Sequence, residues 1–155
     1  MMKWQDEHLG QYLTSGGREG HLFDFGPVNG SGIMPNCLIR HVGRKSGHRR
    51  VSPLIYGMVN GEIVLCASKG GAPTHPAWYL NIAAADRVDV QIGTQAYQAN
   101  RREPEDAERQ TVWDVMVAIY PPYAEYQEKT DRLIPLVLLK PVKPVPVFTA
   151  ADIDD

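Results

Sequence analysis

Near the start of the chain, Trp4, His8, Leu9, Tyr12 and Leu13 recur at three- and four-residue spacings, which predicts an amphipathic helix. The next stretch, "TSGGREGHLFDFGPVNGSGIMP" (Thr14 to Pro35), is rich in glycine and holds two prolines, so it reads as a loop. Beyond Pro35 the pattern turns to strands: "NCLIRHV", then "RRVSPLIYGMV" after the turn "GRKSG". Asn60-Gly61 follows, a two-residue hairpin signal because both turn positions favour positive φ, and "EIVLCAS" returns. "RVDVQI" alternates Val88, Val90 and Ile92 inward, turns at Gly93-Thr94 and comes back as "QAYQANRRE". A last apolar strand runs from Ile134 to Lys140, with Pro135 marking an edge or bulge at its start. Three helical patterns interrupt these strands: "HPAWYLNIAAA", "PEDAERQTVWDVMVAIY" and "YAEYQEKTDR". In the second, Pro104 and acidic residues fill the first turn, Val112, Trp113, Met116, Ile119 and Tyr120 form the apolar side, and Pro121-Pro122 stops it.

Six or so strands joined mostly by hairpins do not make a doubly wound parallel sheet, which needs a helical crossover for each pair. The expected fold is α+β, mainly β: a small, mostly antiparallel barrel with helices packed outside. At 155 residues the chain suits one domain, divided into a leading helix and loop (1–35), a barrel core (36–141) and a C-terminal tail (142–155). The first helix is expected to pack on its own domain, in preference to docking on a membrane surface.

Charge and cysteine content narrow the function. The formal net charge of −2 argues against a nucleic-acid binder, which needs a broad basic face. No run reaches the length of a membrane span or signal peptide, so a cytoplasmic protein is expected. The two cysteines, Cys37 and Cys66, sit in apolar runs without the paired spacing of a zinc or redox motif. They read as buried, inert thiols of a reducing compartment, and no metal site is expected.

Three stretches carry candidate chemistry. "VGRKSGHRRVSP" gathers Arg44, Lys45, His48, Arg49 and Arg50 around a glycine-rich turn, either as a concave anion site or as a solvated basic hairpin. "CASKGGAPTHPAWYLN" ends a strand, supplies Lys69, bends at Gly70-Gly71 and starts a helix, an arrangement that favours an anion near a flat ring contacting Trp78 and Tyr79. Taken alone, Trp78 reads as a core aromatic in preference to a ligand contact. In "YPPYAEYQEKTDR", Tyr120, Tyr123 and Tyr126 recur every three residues, as a pocket wall suited to a flat ligand bearing oxygens or as a buried aromatic cluster. His41, His48 and His75 have no evident carboxylate partner, and no nucleophile turn occurs. Cations, backbone donors and aromatics without acid–base machinery suit a cofactor that brings its own reactivity.

"GRKSGHRRVSPL", "ASKGGAPTHPAWYLN" and "YPPYAEYQEKTDRLIPLVLL", in this order, resemble the deazaflavin-dependent nitroreductase family of actinobacteria. The similarity runs from about Cys37 to Pro141, and "HLGQYLTSGGREGH" resembles the family's leading helix and turn. The resemblance implies a split β-barrel of the flavin-reductase type that binds coenzyme F420, an anionic deazaflavin with a phosphodiester and an oligoglutamate tail. It also implies hydride transfer from the reduced cofactor to a quinone, nitroaromatic or activated-alkene acceptor. On the matching motifs, Arg44, Lys45 and Ser46 are expected to hold the phosphate and tail, leaving His48 and Arg49 facing water. The strand Arg50, Val51, Ser52, Pro53, Leu54 and Ile55 is expected beside the ring. Ala67, Ser68, Lys69, Ala77, Trp78, Tyr79 and Asn81 are expected to close around the cofactor. Tyr123 is expected to approach it, with Tyr120 and Tyr126 nearer the acceptor and Ser68 bonded to the acceptor's oxygen.

The chain departs from the family pattern in three places. "IRHV" replaces a threonine-rich run before the basic turn, Ile55 stands where some members carry tyrosine, and "FDFGPVNGSGIMP" is longer than usual and placed to cover the pocket. An FMN-dependent oxidoreductase on the same barrel and a non-catalytic cofactor or lipid carrier are the alternatives. A homodimer is a further expectation, since barrels of this type often pair.

Overall fold

The computed structural model describes residues 3–154. The hairpin centred on Asn60-Gly61 forms as its sequence requires: both residues take positive φ, 51° and 79°. It joins β3 (Arg49–Val59) to β4 (Glu62–Cys66). Around it, β2 (Ile33–Val42), β7 (Leu136–Val145), β6 (Gln95–Arg102) and β5 (Arg87–Ile92) pair in the order β2-β3-β4-β7-β6-β5. A further β5–β2 pairing closes the ring, so six antiparallel strands make a barrel. A seventh strand, β1 (Leu22–Asp24), lies outside, paired with the first residues of β2.

Every barrel strand contributes to one interior cluster: Ile39 from β2, Tyr56 from β3, Leu65 from β4, Val90 from β5, Ala99 from β6 and Leu139 from β7. Trp78 and Ile82 of α3 (Ala77–Ala83) join that cluster. The unbroken apolar runs of β4 and β7 have a simple cause. Ile63, Leu65, Val137 and Leu139 face inward, while Val64, Cys66, Leu136 and Leu138 face outward beneath α4 (Asp106–Ile119) and α5 (Pro122–Glu128). Helix α4 lies so close to β3 that a Cβ on Gly57 would sit 2.7 Å from the Met116 sulfur. A third cluster buries the apolar face of α1 (Lys3–Thr14): Leu9, Tyr12 and Leu13 pack with Leu38, Val51, Ala96 and Phe148. The helix therefore uses its apolar face within its own domain. Among the described residues, no helix is long and apolar enough to cross a membrane.

Several expectations need correction. Residues 14–35 are not all loop: they include β1 and the short helix α2 (Gly26–Asn29), and β2 already begins at Ile33. Aromatic packing organises this stretch, with Phe23 stacked on Trp4 at 5.4 Å and Phe25 edge-on to Phe23 at 4.8 Å. Pro104 precedes α4 rather than lying in its first turn. Strand β7 starts later than expected and runs on through Pro141 and Pro144, with a register shift opposite Gln98/Ala99 accommodating them. Gln91, on the polar phase of β5, is fully buried because Phe148 covers it: the Phe148 N–H donates to Gln91 Oε1 at 2.7 Å. Arg49 does not simply face water, since its guanidinium pairs with Asp154 at 2.8 Å and pulls that carboxyl down to about 2.

Candidate functional site

A cleft of about 600 Å³ opens between the barrel wall and the helices. Ser52, Pro53, Leu54 and Ile55 of β3 form one side, with Trp78 of α3. Cys66, Ser68, Lys69 and Gly70, at and beyond the end of β4, form the floor and rim. Tyr120, Tyr123 and Tyr126 form the opposite wall. These three stretches are far apart in sequence, and the barrel brings them together. Asn36 also lines the cleft.

The loop after β4 has a strained backbone, and an arginine holds it in place. Lys69, Gly70 and Gly71 take φ of 46°, 63° and 83°. Glycine adopts these values freely, whereas for Lys69 they cost about 1–2 kcal/mol. Gly71 is also needed for space, because a Cβ there would meet the Tyr126 carbonyl at 2.7 Å. Arg132 secures the loop by donating to the carbonyls of Ser68 (2.7 Å), Ala72 (2.8 Å) and Ala67 (3.1 Å) and to His75 Nδ1 (3.0 Å). Sequence reasoning missed Arg132, because a lone arginine before an apolar strand carries no local signal.

The basic turn differs from its expected form. Its backbone donors are largely spent within the protein. Gly47 N–H donates to the Gly43 carbonyl, His48 N–H to Ser46 Oγ, and Arg44 N–H to Asn81 Oδ1. What the turn presents to solvent is the exposed side chains of Arg44 and Lys45, with Arg50 nearby on β3.

A hydrogen-bond chain ties this turn to the cleft wall. Asn81 Oδ1 accepts from Arg44, so its Nδ2 donates to His41 Nδ1 at 3.0 Å. His41 Nδ1 is then bare and Nε2 carries the proton, donated to Ser52 Oγ at 2.9 Å. The Ser52 hydroxyl hydrogen is left to point elsewhere. Burial, aided by the charge of Arg50, lowers the His41 pKa to about 4 and keeps the ring neutral. His41 lies in the departing "IRHV" segment, and its partners are an amide and a hydroxyl rather than a carboxylate.

Other expected residues lie outside the lining. Val51 turns its side chain into the cluster beneath α1. Ala67 is buried, its N–H bonded to the Pro135 carbonyl. Ala77 is exposed at the start of α3, and the Tyr79 hydroxyl donates to Glu103 at 2.9 Å. Arg44, Lys45, Ser46, Arg50 and Asn81 sit at the basic turn and its neighbourhood, not in the cleft itself.

The N-terminal region supplies further lining, in part from the segment "FDFGPVNGSGIMP" that was expected to cover the pocket. Trp4, Gln5 and His8 reach the cleft from α1, and Phe25, Val28 and Asn29 from residues 25–29. The His8 ring lies 4.2 Å from that of Phe23, and its Nε2 donates to the Gly20 carbonyl at 2.7 Å. Burial lowers its pKa. Asn29 Nδ2 donates to the Tyr120 hydroxyl at 2.6 Å, so residues 25–29 cover the tyrosine wall. The three tyrosine rings pack edge-on or tilted at 4.9–6.3 Å. Burial raises the Tyr123 and Tyr126 pKa values well above the usual phenol range, so both stay protonated. Burial also pushes both thiols, Cys37 and Cys66, up to about 12. Among the described residues, no buried side-chain nitrogen or oxygen lacks a hydrogen-bond partner, and no group of three or more His, Cys, Asp or Glu is placed to hold a metal.

A family model described as F420H(2)-dependent quinone reductase matches residues 4–141. The chain belongs to the F420H(2)-dependent quinone reductase family. It is accordingly an oxidoreductase of an F420-dependent family, as the resemblance implied. The F420H(2)-dependent quinone reductase Rv1261c of Mycobacterium tuberculosis is 28% identical over 149 residues, spanning 88% of this chain and 95% of that relative. Among solved structures, an F420-H2 dependent reductase (FDR-A) is 46% identical with a TM-score of 0.62, over 68% of this chain and 94% of that one. Another, described as a domain-swapped dimer, is 40% identical with a TM-score of 0.66, over 88% of this chain and 97% of that one. The family's name specifies F420H(2), and these relatives lend no support to the FMN alternative.

Proposed function

We propose that this protein uses F420H(2) to reduce a quinone, with the cleft between β3 and the tyrosine wall as the reaction site. One observation carries the reading: an apolar wall suited to a flat ring is linked through Ser52, His41 and Asn81 to an exposed cationic turn. The residues present fit an anionic deazaflavin. Leu54, Ile55 and Trp78 offer ring-sized apolar surface, Ser52 offers a hydroxyl, and Arg44, Lys45, Arg50 and Lys69 offer charge for a phosphate and carboxylates. When bound, F420H(2) supplies a hydride, and the protein need contribute no acid–base step of its own.

The side chains then act by orientation and electrostatics. The β3 wall and Trp78 hold the ring plane, and the cations fix the tail. Tyr123 and Tyr126, kept protonated by burial, offer O–H groups to the oxygen on which charge develops, as does Ser68. The proton that completes reduction comes from solvent. Residues 25–29 and Trp4 exclude water on the acceptor side. Nitroaromatics and activated alkenes offer the same kind of oxygen and are secondary candidates as acceptors. The buried free thiols suit a cytoplasmic setting, and the relative described as a domain-swapped dimer supports self-association into a homodimer.

Titration of the purified protein with F420 and with FMN, followed by fluorescence, tests cofactor choice. Selective F420 binding is expected, and a preference for FMN would overturn it. A panel of a quinone, a nitroaromatic and an enone with F420H(2) tests the reaction. Cofactor binding without turnover on any of them would favour a carrier instead.

A further inference from the structure

Asn29 sits at the end of α2, in a loop closed on itself by the bond from Phe25 N–H to the Gly32 carbonyl. Its amide orientation is fixed by chemistry. The backbone N–H of Ser31 donates to Asn29 Oδ1 at 3.0 Å, and a backbone N–H can only donate. The other end, Nδ2, therefore faces the Tyr120 hydroxyl at 2.6 Å, and there the tyrosine oxygen accepts.

The Tyr120 and Tyr126 hydroxyls lie 3.3 Å apart, and distance alone allows either to donate. Asn29 breaks that symmetry. A hydroxyl that accepts a hydrogen bond becomes a stronger donor, so Tyr120 donates to Tyr126. The Tyr126 proton is then free for another acceptor, and Asn29, Tyr120 and Tyr126 all line the cleft.

We infer that Asn29 is a positioning residue that sets the direction of a hydrogen-bond chain, Asn29 to Tyr120 to Tyr126, and so makes Tyr126 a donor to the carbonyl oxygen of a bound quinone. This rests on reading the cleft as the acceptor site of the F420H(2)-dependent reaction. No covalent bond to either tyrosine forms. The hydroxyl stabilises the charge that develops on the quinone oxygen, and the proton that neutralises the product comes from solvent. The segment that carries Asn29 thus does more than cover the pocket: it selects acceptors whose oxygen can take a hydrogen bond at that wall.

The test is Asn29→Asp. A carboxylate keeps the bond from Ser31 N–H but has no proton to donate. Tyr120 then donates to residue 29, Tyr126 donates to Tyr120, and the cleft loses a donor. With F420H(2) and a naphthoquinone, kcat is expected to fall roughly three- to tenfold, as for loss of one hydrogen bond. Naphthoquinone affinity, read without cofactor by tryptophan fluorescence quenching, is expected to weaken in the same direction. In a Tyr126→Phe background, Asn29→Asp is expected to change neither quantity further. Equal losses in both backgrounds, or less than a twofold change in the wild-type background, would overturn the inference. Thermal melts run in parallel identify a variant that has merely unfolded. In that event Asn29→Ala takes its place, with a smaller loss that likewise vanishes in the Tyr126→Phe background. If the wild-type protein does not turn over, the functional reading fails on that result, while the binding cycle still decides the direction of the chain.

Discussion

Replacing Arg132 with methionine probes how the loop carrying Ser68 and Lys69 is held. The guanidinium donates four hydrogen bonds: 2.7 Å to Ser68, 2.8 Å to Ala72, 3.1 Å to Ala67, each at the carbonyl, and 3.0 Å to His75 Nδ1. A hydrogen bond with one charged partner contributes about 1.5–3 kcal/mol. Arg132 is half-buried, so water recovers part of each lost bond, and the four are not additive. A net loss of roughly 2–4 kcal/mol follows, which lowers Tm by roughly 5–15 °C in a domain of this size. Arg132→Lys keeps the charge but not the planar fork, so its loss falls between those of wild type and Arg132→Met. Thermal denaturation near neutral pH reads the stability. Limited trypsin digestion reads the loop directly, because Lys69 is exposed at its tip and loosening speeds cleavage after it. F420 affinity is expected to fall in step with cleavage. A Tm within about 2 °C of wild type, with unchanged cleavage, would show instead that other contacts hold the loop.

Other consequences follow from the same geometry. Lys45→Ala or Lys69→Ala is expected to weaken F420 binding more than the hydride step, and an unchanged dissociation constant in both would remove these cations from the cofactor site. His41 stays neutral in the fold with a pKa of about 4, below its ordinary 6.5. Between those values the unfolded chain binds the extra proton, so its contribution to stability is full above pH 6.5 and is lost as pH falls toward 4. The loss amounts to about 2–3 kcal/mol, and His41→Gln is expected to flatten that part of the stability-versus-pH curve; an equally steep curve in the variant would assign the acid sensitivity to the other histidines. Cys37 and Cys66, both buried with thiols near 12, are expected to resist iodoacetamide at pH 7.5 until the protein unfolds. Fast labelling of the folded protein would contradict their burial.

Much of the barrel was legible because its strands obey period two and its turns carry their own chemistry, as at Asn60-Gly61. Burial of β4 and β7 on both faces also shows in their unbroken apolar runs. The lining of the cleft was legible where motifs are local: the Lys69-Gly70-Gly71 bend and the tyrosine triplet. What escaped depends on distant chain returning to the same place. Asn29 joins the cleft only because Phe23 and Phe25 pack on Trp4 and swing α2 over Tyr120. Gln91 looks like a surface residue until Phe148 covers it, and Arg132 acts through three carbonyls and a histidine nitrogen some sixty residues earlier. The basic turn misled in the opposite direction, since its glycines suggested open backbone donors that the fold spends on Gly43, Ser46 and Asn81.

The most direct measurement mixes the protein, loaded with stoichiometric F420H(2), with excess naphthoquinone in a stopped-flow spectrometer and follows the return of oxidised F420 absorbance. Full re-oxidation within a single turnover is expected, at a rate that saturates with quinone and far exceeds that of free F420H(2). Re-oxidation no faster than in the absence of protein, with F420H(2) demonstrably bound, would contradict the proposed function.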